Sequence, residues 1–341
     1  MVTIYDIAAK ANVSAMTVSR VINNTGKISD KTRAKVMRVM EEMNYVPNHA
    51  ARSLVLQRTK LLFLLITDIM NPFYTTLSRG AEDAAKKYGY RLLFGNSDES
   101  IDKESDYVTT ILTTRVDGVL FAPAGDPSLP NLQSIRKHNV PFVLLDREVP
   151  GIECDIVLGD SKEGARQLVD HLVHMGHRSI AMVNGSSSIS SARLRLQGYQ
   201  EGLKLNDLAF NETYLYETSF GPLHDLSGME SWIDSMNPLP TAVIAGNNIL
   251  AVETIRLLHK RGLKVPEDIS VVCFDDFGPY SEIDPFLTVA AQQAYQFGYL
   301  GVQMLVERIQ QREANPPWKK IVLPAEFIAR RSVRNLNETT E

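Results

Sequence analysis

Short apolar runs alternate with helical patterns along most of this chain, and this alternation restricts the possible folds more than any other feature. The first apolar run spans residues 61–67 and has the length of a strand, and a helical pattern follows over residues 72–89. Comparable strand-like runs lie at 91–95, 118–122, 141–145, 179–183, 241–245 and 269–274. Repeated βα units form parallel sheets with helices on both faces. The sequence therefore predicts two doubly wound parallel-sheet α/β lobes with a cleft between them.

Polar and aromatic side chains follow the carboxyl ends of these runs, which is where open α/β sheets bind ligands. Carboxylates accept hydrogen bonds from vicinal hydroxyls, arginine and amide groups donate them, and aromatic rings cover a sugar face, so a neutral polyol suits this set. Other roles are open, because Asp146 and Asp275 can cap helices and Arg195 can pair with an acid. Phe73 and Tyr74 can equally be core residues. The set comprises Asp68, Asn71, Phe73, Tyr74, Asp146, Arg147, Ser191, Arg195, Tyr199, Asn247, Asn248, Asp275, Asp276 and Gln292.

The first 60 residues differ in charge from the rest of the chain. They contain ten Lys or Arg and four acids, whereas the remaining residues contain 26 basic and 36 acidic side chains. A basic segment on an acidic body favours a polyanion such as nucleic acid as the partner of that segment. A solvated basic helix face is the alternative.

Three capped helices are predicted within this basic segment, which makes a small all-α domain. Thr3 and Asp6 form the pattern of a capping box, Ser14 can cap a second short helix, and Ser29 can cap a longer third. Two short helices joined by a tight turn and braced by a third are a helix-turn-helix arrangement, whose second helix enters the major groove of DNA. A three-helix bundle with no role in DNA binding is the alternative.

The second of these helices carries the side chains that we expect to reach the bases of DNA. Ala15, Met16 and Arg20 lie toward the base edges, where arginine can donate two hydrogen bonds to a guanine and the other two make apolar contacts. Phosphate oxygens are the expected partners of five polar side chains nearby. These are Tyr5, Ser14, Thr17, Ser19 and Asn23.

Whole segments of the chain resemble the LacI/GalR family of bacterial transcription regulators. The resemblance is carried by Thr3-Ile-Tyr-Asp-Ile-Ala, by the segment from Val13 to Asn23, by Thr32-Arg33 and by Met43-Asn-Tyr-Val-Pro-Asn48. It implies a helix-turn-helix domain (1–46), a hinge helix and linker (47–60), an effector-binding and dimerisation domain (61–332) and a short tail (333–341). Within the third, it implies an N-lobe of 61–160 plus 293–320 and a C-lobe of 161–292 plus 321–332, similar to periplasmic pentose-binding proteins.

The resemblance also implies a function and a set of ligand positions. The function is that of a transcriptional repressor that binds a pseudo-palindromic operator as a homodimer and responds to a small polar effector, such as a sugar, in the cleft. Some relatives use a phosphoprotein coregulator. The short polar tail has no heptad helix of the kind that tetramerising relatives carry, which favours a dimer. The implied effector-binding positions, with Tyr74 beside them, are Asn71, Phe73, Asp146, Arg147, Arg195, Asn247, Asp275 and Gln292, and Asn248 stands where an aspartate is usual.

The segment after Pro47 predicts a hinge. Asn48 can cap a helix over residues 49–54, which is too short to be stable alone. In the family, the matching segment folds on operator DNA, and a leucine that corresponds to Leu54 wedges into the minor groove. An ordinary linker is the alternative. The expected DNA contacts in this segment are Asn48, Ala51, Arg52 and Leu54.

Other functional classes lack their motifs. His171, His174 and His177 have no nearby cysteine or acid that completes a zinc site. The segment 184–188 is neither a P-loop nor a dinucleotide fingerprint, and no Gly-x-Ser-x-Gly motif occurs, so neither an enzyme nor a cofactor is predicted. A periplasmic receptor would need a signal peptide, and a membrane protein would need a longer apolar run. With only two cysteines, we expect a cytoplasmic protein, and the resemblance to DNA-binding regulators implies that it is nucleoid-associated.

Overall fold

The computed structural model of the chain describes residues 2–23, 25–45, 59–221, 225–311 and 316–337. The chain divides into two units, residues 1–59 and residues 60–341. Most of the predicted hinge segment lies outside the described residues. Within the described ranges, no helix is both long enough and apolar enough to cross a membrane.

The first unit contains three helices, namely α1 (Ile4–Ala11), α2 (Ala15–Asn23) and α3 (Asp30–Glu42). The predicted capping box is present, since the backbone N–H of Thr3 donates to Asp6 Oδ2 at 2.8 Å and the N–H of Asp6 donates to Thr3 Oγ1 at 3.4 Å. The second cap is present as well, because the N–H of Thr17 donates to Ser14 Oγ at 3.1 Å. These caps satisfy backbone donors that have no partner inside the helices.

One small apolar core holds the three helices together. Ile7 and Ala11 of α1, Val18 and Val21 of α2 and Val36 of α3 are buried in it. Within α1 and within α2, the buried residues are four and three positions apart, so each of these helices buries one face and keeps the other exposed. The predicted helix-turn-helix arrangement is confirmed.

The second unit consists of two α/β lobes. The first lobe comprises β1 (Leu61–Ile66), α4 (Pro72–Lys87), β2 (Arg91–Asn96), α5 (Ile101–Thr114), β3 (Gly118–Phe121), α6 (Leu129–Lys137), β4 (Phe142–Leu145), β5 (Asp155–Gly159), α11 (Ala294–Gln310) and β11 (Lys320–Leu323). The second comprises α7 (Ser161–His174), β6 (Ile180–Gly185), α8 (Ser190–Leu205), β7 (Leu215–Thr218), α9 (Ser227–Ser235), β8 (Ala242–Ala245), α10 (Asn248–Lys260), β9 (Ser270–Phe274), β10 (Thr288–Ala291) and β12 (Glu326–Ile328).

Each lobe is built on a largely parallel sheet, as predicted, and each sheet has six strands. The strand order is β11-β5-β4-β3-β1-β2 in the first lobe and β12-β10-β9-β8-β6-β7 in the second. All neighbouring strands are parallel except β10 and β12. Alternate residues of β1 serve the two faces, since Leu62 and Leu64 pack with α4 and α11 whereas Phe63 and Leu65 pack with α5 and α6. This burial on both faces explains why the run is continuously apolar.

After its return from the second lobe, the chain stays in the first lobe longer than the resemblance implies. We expected residues 321–332 in the C-lobe, but Ile321, Val322 and Leu323 of β11 pair with β5 in the sheet of the first lobe. The following residues lie in the second lobe, where Phe327 of β12 pairs with Ala290 and Ser332 Oγ accepts from the N–H of Thr288 at 2.9 Å. Pro324 lies between the two strands, and a residue without a backbone donor suits this crossing point.

Helices α4 and α11 cross at two glycines, which fixes the returning helix on the first lobe. A Cβ atom on Gly80 would lie 2.0 Å from the carbonyl oxygen of Tyr295, and one on Gly298 would lie 1.9 Å from the carbonyl oxygen of Leu77. Only glycine allows the two backbones to approach this closely. The crossing places the amino end of α11 next to the residues that follow β1 and β10.

Candidate DNA-binding and effector-binding sites

Helix α2 presents the expected base-reading residues on its exposed face. Met16 and Arg20 lie one turn apart, away from the buried Val18 and Val21, and the Met16 side chain is 63% exposed. Ala15 is half-buried and packs against the core of this unit, so it lies at the edge of the face.

The expected phosphate-contacting side chains are at or near the surface of the same unit. Tyr5 is 73% exposed. Ser14 Oγ lies 2.9 Å from Thr17 Oγ1, and Asn23 Nδ2 donates to Ser19 Oγ at 3.3 Å. Each hydroxyl retains further hydrogen-bonding capacity, so these internal bonds leave room for a phosphate oxygen.

Part of the positive charge of this unit is neutralised internally. Glu42 of α3 lies 3.1 Å from both Lys10 of α1 and Arg38. Hydrogen bonds from Lys10, reinforced by Arg38, lower the pKa of Glu42.

The four hinge residues expected at the minor groove lie outside the described residues, so their contacts stay predictions. They are Asn48, Ala51, Arg52 and Leu54.

A polar cleft lies between the two lobes at the carboxyl ends of their strands. Eight of the nine expected effector-binding residues line it, and the ninth, Gln292, reaches it through a hydrogen bond to Asp275. The first lobe contributes Thr67, Asp68, Asn71, Phe73, Tyr74, Glu99, Asp146 and Arg147, and the second contributes Ser191, Arg195, Phe220, Asn247 and Asp275.

The cleft is closed, because its cavity measures only about 20 Å³. Pockets for drug-sized ligands usually enclose hundreds of cubic ångströms, whereas this space suits a single water molecule. Several bonds hold the lobes together: Arg193 donates to both carboxylate oxygens of Asp126 at 2.8 and 3.1 Å, and Asn248 Nδ2 donates to Asn71 Oδ1 at 3.2 Å. A ligand of several heavy atoms can therefore enter only when the lobes separate.

Arg147 is buried in the first-lobe wall, and its two Nη atoms donate to acceptors of its own lobe. Its Nη2 donates to Glu99 Oε1 at 2.6 Å, its Nη1 donates to the carbonyl oxygens of Pro123 and Ala124 at 3.2 Å, and its Nε lies 3.4 Å from Asp146 Oδ2. The side chain of Arg147 is 3% exposed. A buried guanidinium needs such partners because desolvation of an unpaired charge is costly.

Arg195 and Asp275 form the corresponding charged pair in the second-lobe wall. Arg195 Nη1 donates to the carbonyl oxygen of Gly246 at 2.5 Å, and Nη2 lies 3.9 Å from Asp275 Oδ2. The ring of Phe274 lies 4.3 Å from the guanidinium carbon. Burial raises the pKa of Asp275 to about 6, although Arg195 and the amide of Gln292 oppose this rise. The two side chains are therefore only weakly paired, and each can form a hydrogen bond with a further partner.

The two aromatic residues expected in the cleft belong to its wall and to the core together. Tyr74 is buried, and its hydroxyl donates to Asp146 Oδ2 at 3.1 Å. Burial raises the pKa of Tyr74, so the phenol stays a neutral donor. Phe73 is also buried and packs edge-on against Phe297 at a centroid distance of 5.4 Å. Core and cleft-lining roles thus coincide here.

Three asparagines serve as structural devices as well as cleft residues. Asn71 caps α4 by accepting from the N–H of Phe73 at 2.9 Å, and Asn247 caps α10 by accepting from the N–H of Leu250 at 2.8 Å. Asn248, where the resemblance implies an aspartate, uses its amide to bridge to Asn71. An aspartate could not donate this hydrogen bond.

Sequence reasoning missed three cleft residues, Thr67, Glu99 and Phe220, and Thr67 is the last residue of the first apolar run. Phe220 follows β7, a strand that the apolar pattern did not reveal because its side chains are only half-buried. Glu99 lies three residues after β2 with a φ of 56°, and the rule applied to the other strand ends would have found it there. Glu99 Oε2 also accepts a hydrogen bond from Ser219 of the second lobe at 3.2 Å.

The histidines that suggest a metal site have other roles. His177 is hydrogen-bonded to Thr241 Oγ1 at 2.9 Å and to the carbonyl oxygen of Arg334 at 3.1 Å, and the ring of His171 packs against Phe327. Burial lowers the pKa of both imidazoles. In the described ranges, no group of three or more His, Cys, Asp or Glu residues is arranged to hold a metal ion.

Comparison with known families separates the chain into the same two parts. Residues 3–48 match bacterial regulatory proteins of the lacI family, and residues 169–333 match the periplasmic binding protein-like domain. The HTH-type transcriptional regulator DegA of Bacillus subtilis is 35% identical over 98% of this chain and 99% of its own length. The ribose operon repressor of the same organism is 34% identical, with 98% of this chain and 99% of the repressor covered.

Solved structures of transcriptional regulators resemble the chain over nearly its whole length. The lac repressor dimer bound to operator and the anti-inducer ONPF superposes with a TM-score of 0.81 at 28% identity, covering 98% of this chain and 99% of the repressor chain. The complex of the transcriptional regulator CelR with cellobiose superposes with a TM-score of 0.72 at 28% identity, covering 97% of this chain and all of that one.

Proposed function

Because the chain belongs to the lacI family of bacterial regulatory proteins, whose members are transcriptional regulators and not enzymes, we propose that it is an effector-controlled repressor. It binds a pseudo-palindromic operator as a homodimer, and a small polar effector, a sugar or sugar derivative, binds between its lobes. We place it in the cytoplasm, on the DNA of the nucleoid.

The observation that carries this proposal is the convergence of charged groups from both lobes on one closed cleft. Arg147 comes from the first lobe, and Arg195 and Asp275 come from the second. A ligand that binds all three has a different affinity for the closed and the separated arrangement of the lobes. Such a difference in affinity is what allows a ligand to shift a conformational equilibrium.

The shift can control DNA binding because each half of a dimer carries its own reading helix. In this proposal, a change in lobe arrangement alters the spacing of the two hinge segments, with Leu54 wedged between base pairs and Asn48, Ala51 and Arg52 beside it. Linkage requires that an effector which weakens operator binding must itself bind the DNA-bound protein more weakly by the same factor.

The surface of the first lobe supports the proposed dimer. Ile69, Met70 and Phe94 are large apolar side chains that are 46%, 76% and 41% exposed. Phe94 lies on β2, the edge strand of its sheet. Exposed edge strands with apolar side chains are normally covered, and a second copy of the chain would cover this one.

In vitro selection of operator DNA tests the proposed function without knowledge of the effector. The full-length protein is used to select fragments from a random DNA library, and the recovered sequences are aligned. We expect two half-sites related by two-fold symmetry, one for each reading helix of the dimer. Recovery of no common sequence, or of a single unrepeated half-site, would contradict the proposal.

A further inference from the structure

The pairing of Glu99 with Arg147 bears on the chemical class of the effector. We propose that the cleft selects an uncharged, polyhydroxylated molecule over its phosphorylated or carboxylated analogues, and that Glu99 is the residue that sets this selectivity. The proposal rests on the proposed function, since it concerns the ligand of the same cleft.

The charges that line the cleft give an anion no net attraction. Four acids, Asp68, Glu99, Asp146 and Asp275, face two arginines, Arg147 and Arg195. All six side chains are almost fully buried, so solvent screens their interactions little. Burial also raises the pKa of Asp68 and Asp275. Loss of those charges would bring the cleft toward neutrality but would not make it positive.

The two Nη atoms of Arg147, which would bind a phosphate or carboxylate in a bidentate manner, are already occupied, whereas its Nε is buried without a hydrogen-bond partner in the described part of the chain. Its three nitrogens already face Glu99, Asp146 and the carbonyl oxygens of Pro123 and Ala124. The contact with Glu99, at 2.6 Å, is the shortest of these. An anionic ligand that pairs with Nη2 would have to displace the Glu99 carboxylate from a buried site and leave that charge without its arginine partner, which is strongly unfavourable.

Two carboxylate oxygens in the cleft lack hydrogen-bond partners among the described residues, so a ligand that binds there must supply hydrogen-bond donors. In the described part of the chain, Asp68 Oδ2 and Asp146 Oδ1 are buried without a hydrogen-bond partner. Ionised carboxylate oxygens only accept hydrogen bonds, and so do the oxygens of a phosphate or carboxylate ligand. A hydroxyl group can donate to these oxygens, and its lone pairs can accept from Arg147 Nε or Arg195 Nε, which are also buried without a hydrogen-bond partner in the described residues. Hydroxyls therefore satisfy both walls of the cleft.

Glu99 is a good candidate for the selecting residue because it contacts both lobes. One carboxylate oxygen accepts from Arg147, and the other accepts from Ser219 across the cleft. Replacement by glutamine keeps an oxygen for either donor but removes the charge. Arg147 would then have one neutral partner and an attraction for an anion that the parent protein lacks.

Calorimetry on the full-length protein tests this inference with matched ligand pairs. The panel contains D-ribose with ribose 5-phosphate, D-glucose with glucose 6-phosphate, and D-galactose with galacturonate. For the pair that binds, we expect the neutral member to bind at least about tenfold more tightly in the parent protein. Glu99→Gln should narrow this ratio by about tenfold, and Glu82→Gln, at an exposed position on the same lobe, should leave it unchanged.

Three results would overturn the inference. They are tighter binding of the charged member by the parent protein, an unchanged ratio in Glu99→Gln, and the absence of binding by every neutral member. Operator binding separates this failure from failure of the proposed function. A protein that binds selected operator DNA and releases it with a sugar phosphate keeps the proposed function and contradicts only the selectivity.

Discussion

Asp146 and Asp275 occupy equivalent positions in the two lobes. Each directly follows the fourth strand counted from the β2 or β7 edge of its sheet, and both have a left-handed backbone, with φ angles of 67° and 64°. This conformation is costly for most residues, and aspartate is among the few that tolerate it. Each carboxylate also faces an arginine, Arg147 at 3.4 Å or Arg195 at 3.9 Å. Strained positions of this kind cluster at functional sites.

The first prediction follows from the raised pKa of Asp275. Burial raises this pKa to about 6 from an ordinary value of 3.8, so between these pH values the folded chain holds a proton that the unfolded chain has lost. The contribution of Asp275 to stability is therefore present at low pH and is lost as the pH rises through 6. Asp275→Asn removes this pH-dependent loss. The unfolding free energy of the variant minus that of the parent should therefore be about 2–3 kcal/mol larger at pH 7 than at pH 4.

Urea unfolding followed by tryptophan fluorescence measures this difference, because each lobe has one of the two tryptophans of the chain, Trp318 and Trp232. Asp276→Asn is the control with the opposite sign. Burial opposes ionisation of Asp276, but hydrogen bonds from Arg330 and Ser281 outweigh it and lower its pKa. This variant should lose stability at neutral pH. A pH dependence of Asp275→Asn equal to that of the parent would show that Asp275 is ionised throughout.

The second prediction concerns the ion pair of Arg193 and Asp126, which joins the lobes. Both side chains are about one-third exposed, at 33% and 36%, so solvent weakens the pair and its net contribution to stability should be below about 1 kcal/mol. Because it lies across the cleft, its loss should favour separated lobes. Arg193→Ala should therefore open the cleft while hardly changing the unfolding free energy.

Energy transfer between dyes on the two lobes reports this opening. Lys137→Cys and Lys204→Cys place the dyes at exposed positions, and the native Cys154 and Cys273 are buried. We expect lower transfer in Arg193→Ala than in the parent, and parent-like transfer in Arg193→Lys. Equal transfer in all three proteins would mean that this ion pair does not hold the cleft closed.

The third prediction concerns the helix crossing at Gly298. An added Cβ atom would lie 1.9 Å from the carbonyl oxygen of Leu77 and 2.6 Å from the N of Ala81, and neither backbone atom can rotate away. Gly298→Ala should therefore destabilise the first lobe by about 3 kcal/mol, as overpacking does. Gly89→Ala is the control, since open space surrounds Gly89 and only its φ of 73° opposes a side chain. A smaller loss in Gly298→Ala than in Gly89→Ala would show that the helices separate easily.

Sequence patterns predicted the elements whose burial is strong and regular, and they failed where burial is partial. The wholly buried run at β1 was evident, whereas β7 and β11 alternate between half-buried and exposed residues and carry little signal. The assignment of residues 321–323 to the wrong lobe has the same origin, because β11 and β12 are short edge strands separated by two residues. The choice of sheet depends on tertiary contacts.

The position of the cleft could be predicted from a topological rule, but the closure of the cleft could not. Side chains after parallel strands converge in any such fold, so Asp146 and Asp275 could be predicted from their positions alone. Whether the two walls touch depends on single contacts across the chain, such as Asn248 with Asn71. No local pattern in the sequence encodes these contacts.

The last prediction concerns the reading helix. Arg20 is exposed one turn beyond Met16, and the rest of α2 that faces inward is apolar. If Arg20 donates two hydrogen bonds to a guanine in each half-site, Arg20→Ala should reduce discrimination at that base pair by about 1–3 kcal/mol. Competition binding at fixed salt, with selected operators that differ at single positions, measures this loss. Arg33→Ala, on α3, is the control, because loss of a positive charge of this unit outside the reading helix should not change the relative preference for one base over another. An Arg20→Ala protein with the base preferences of the parent would mean that another surface of this unit reads the operator.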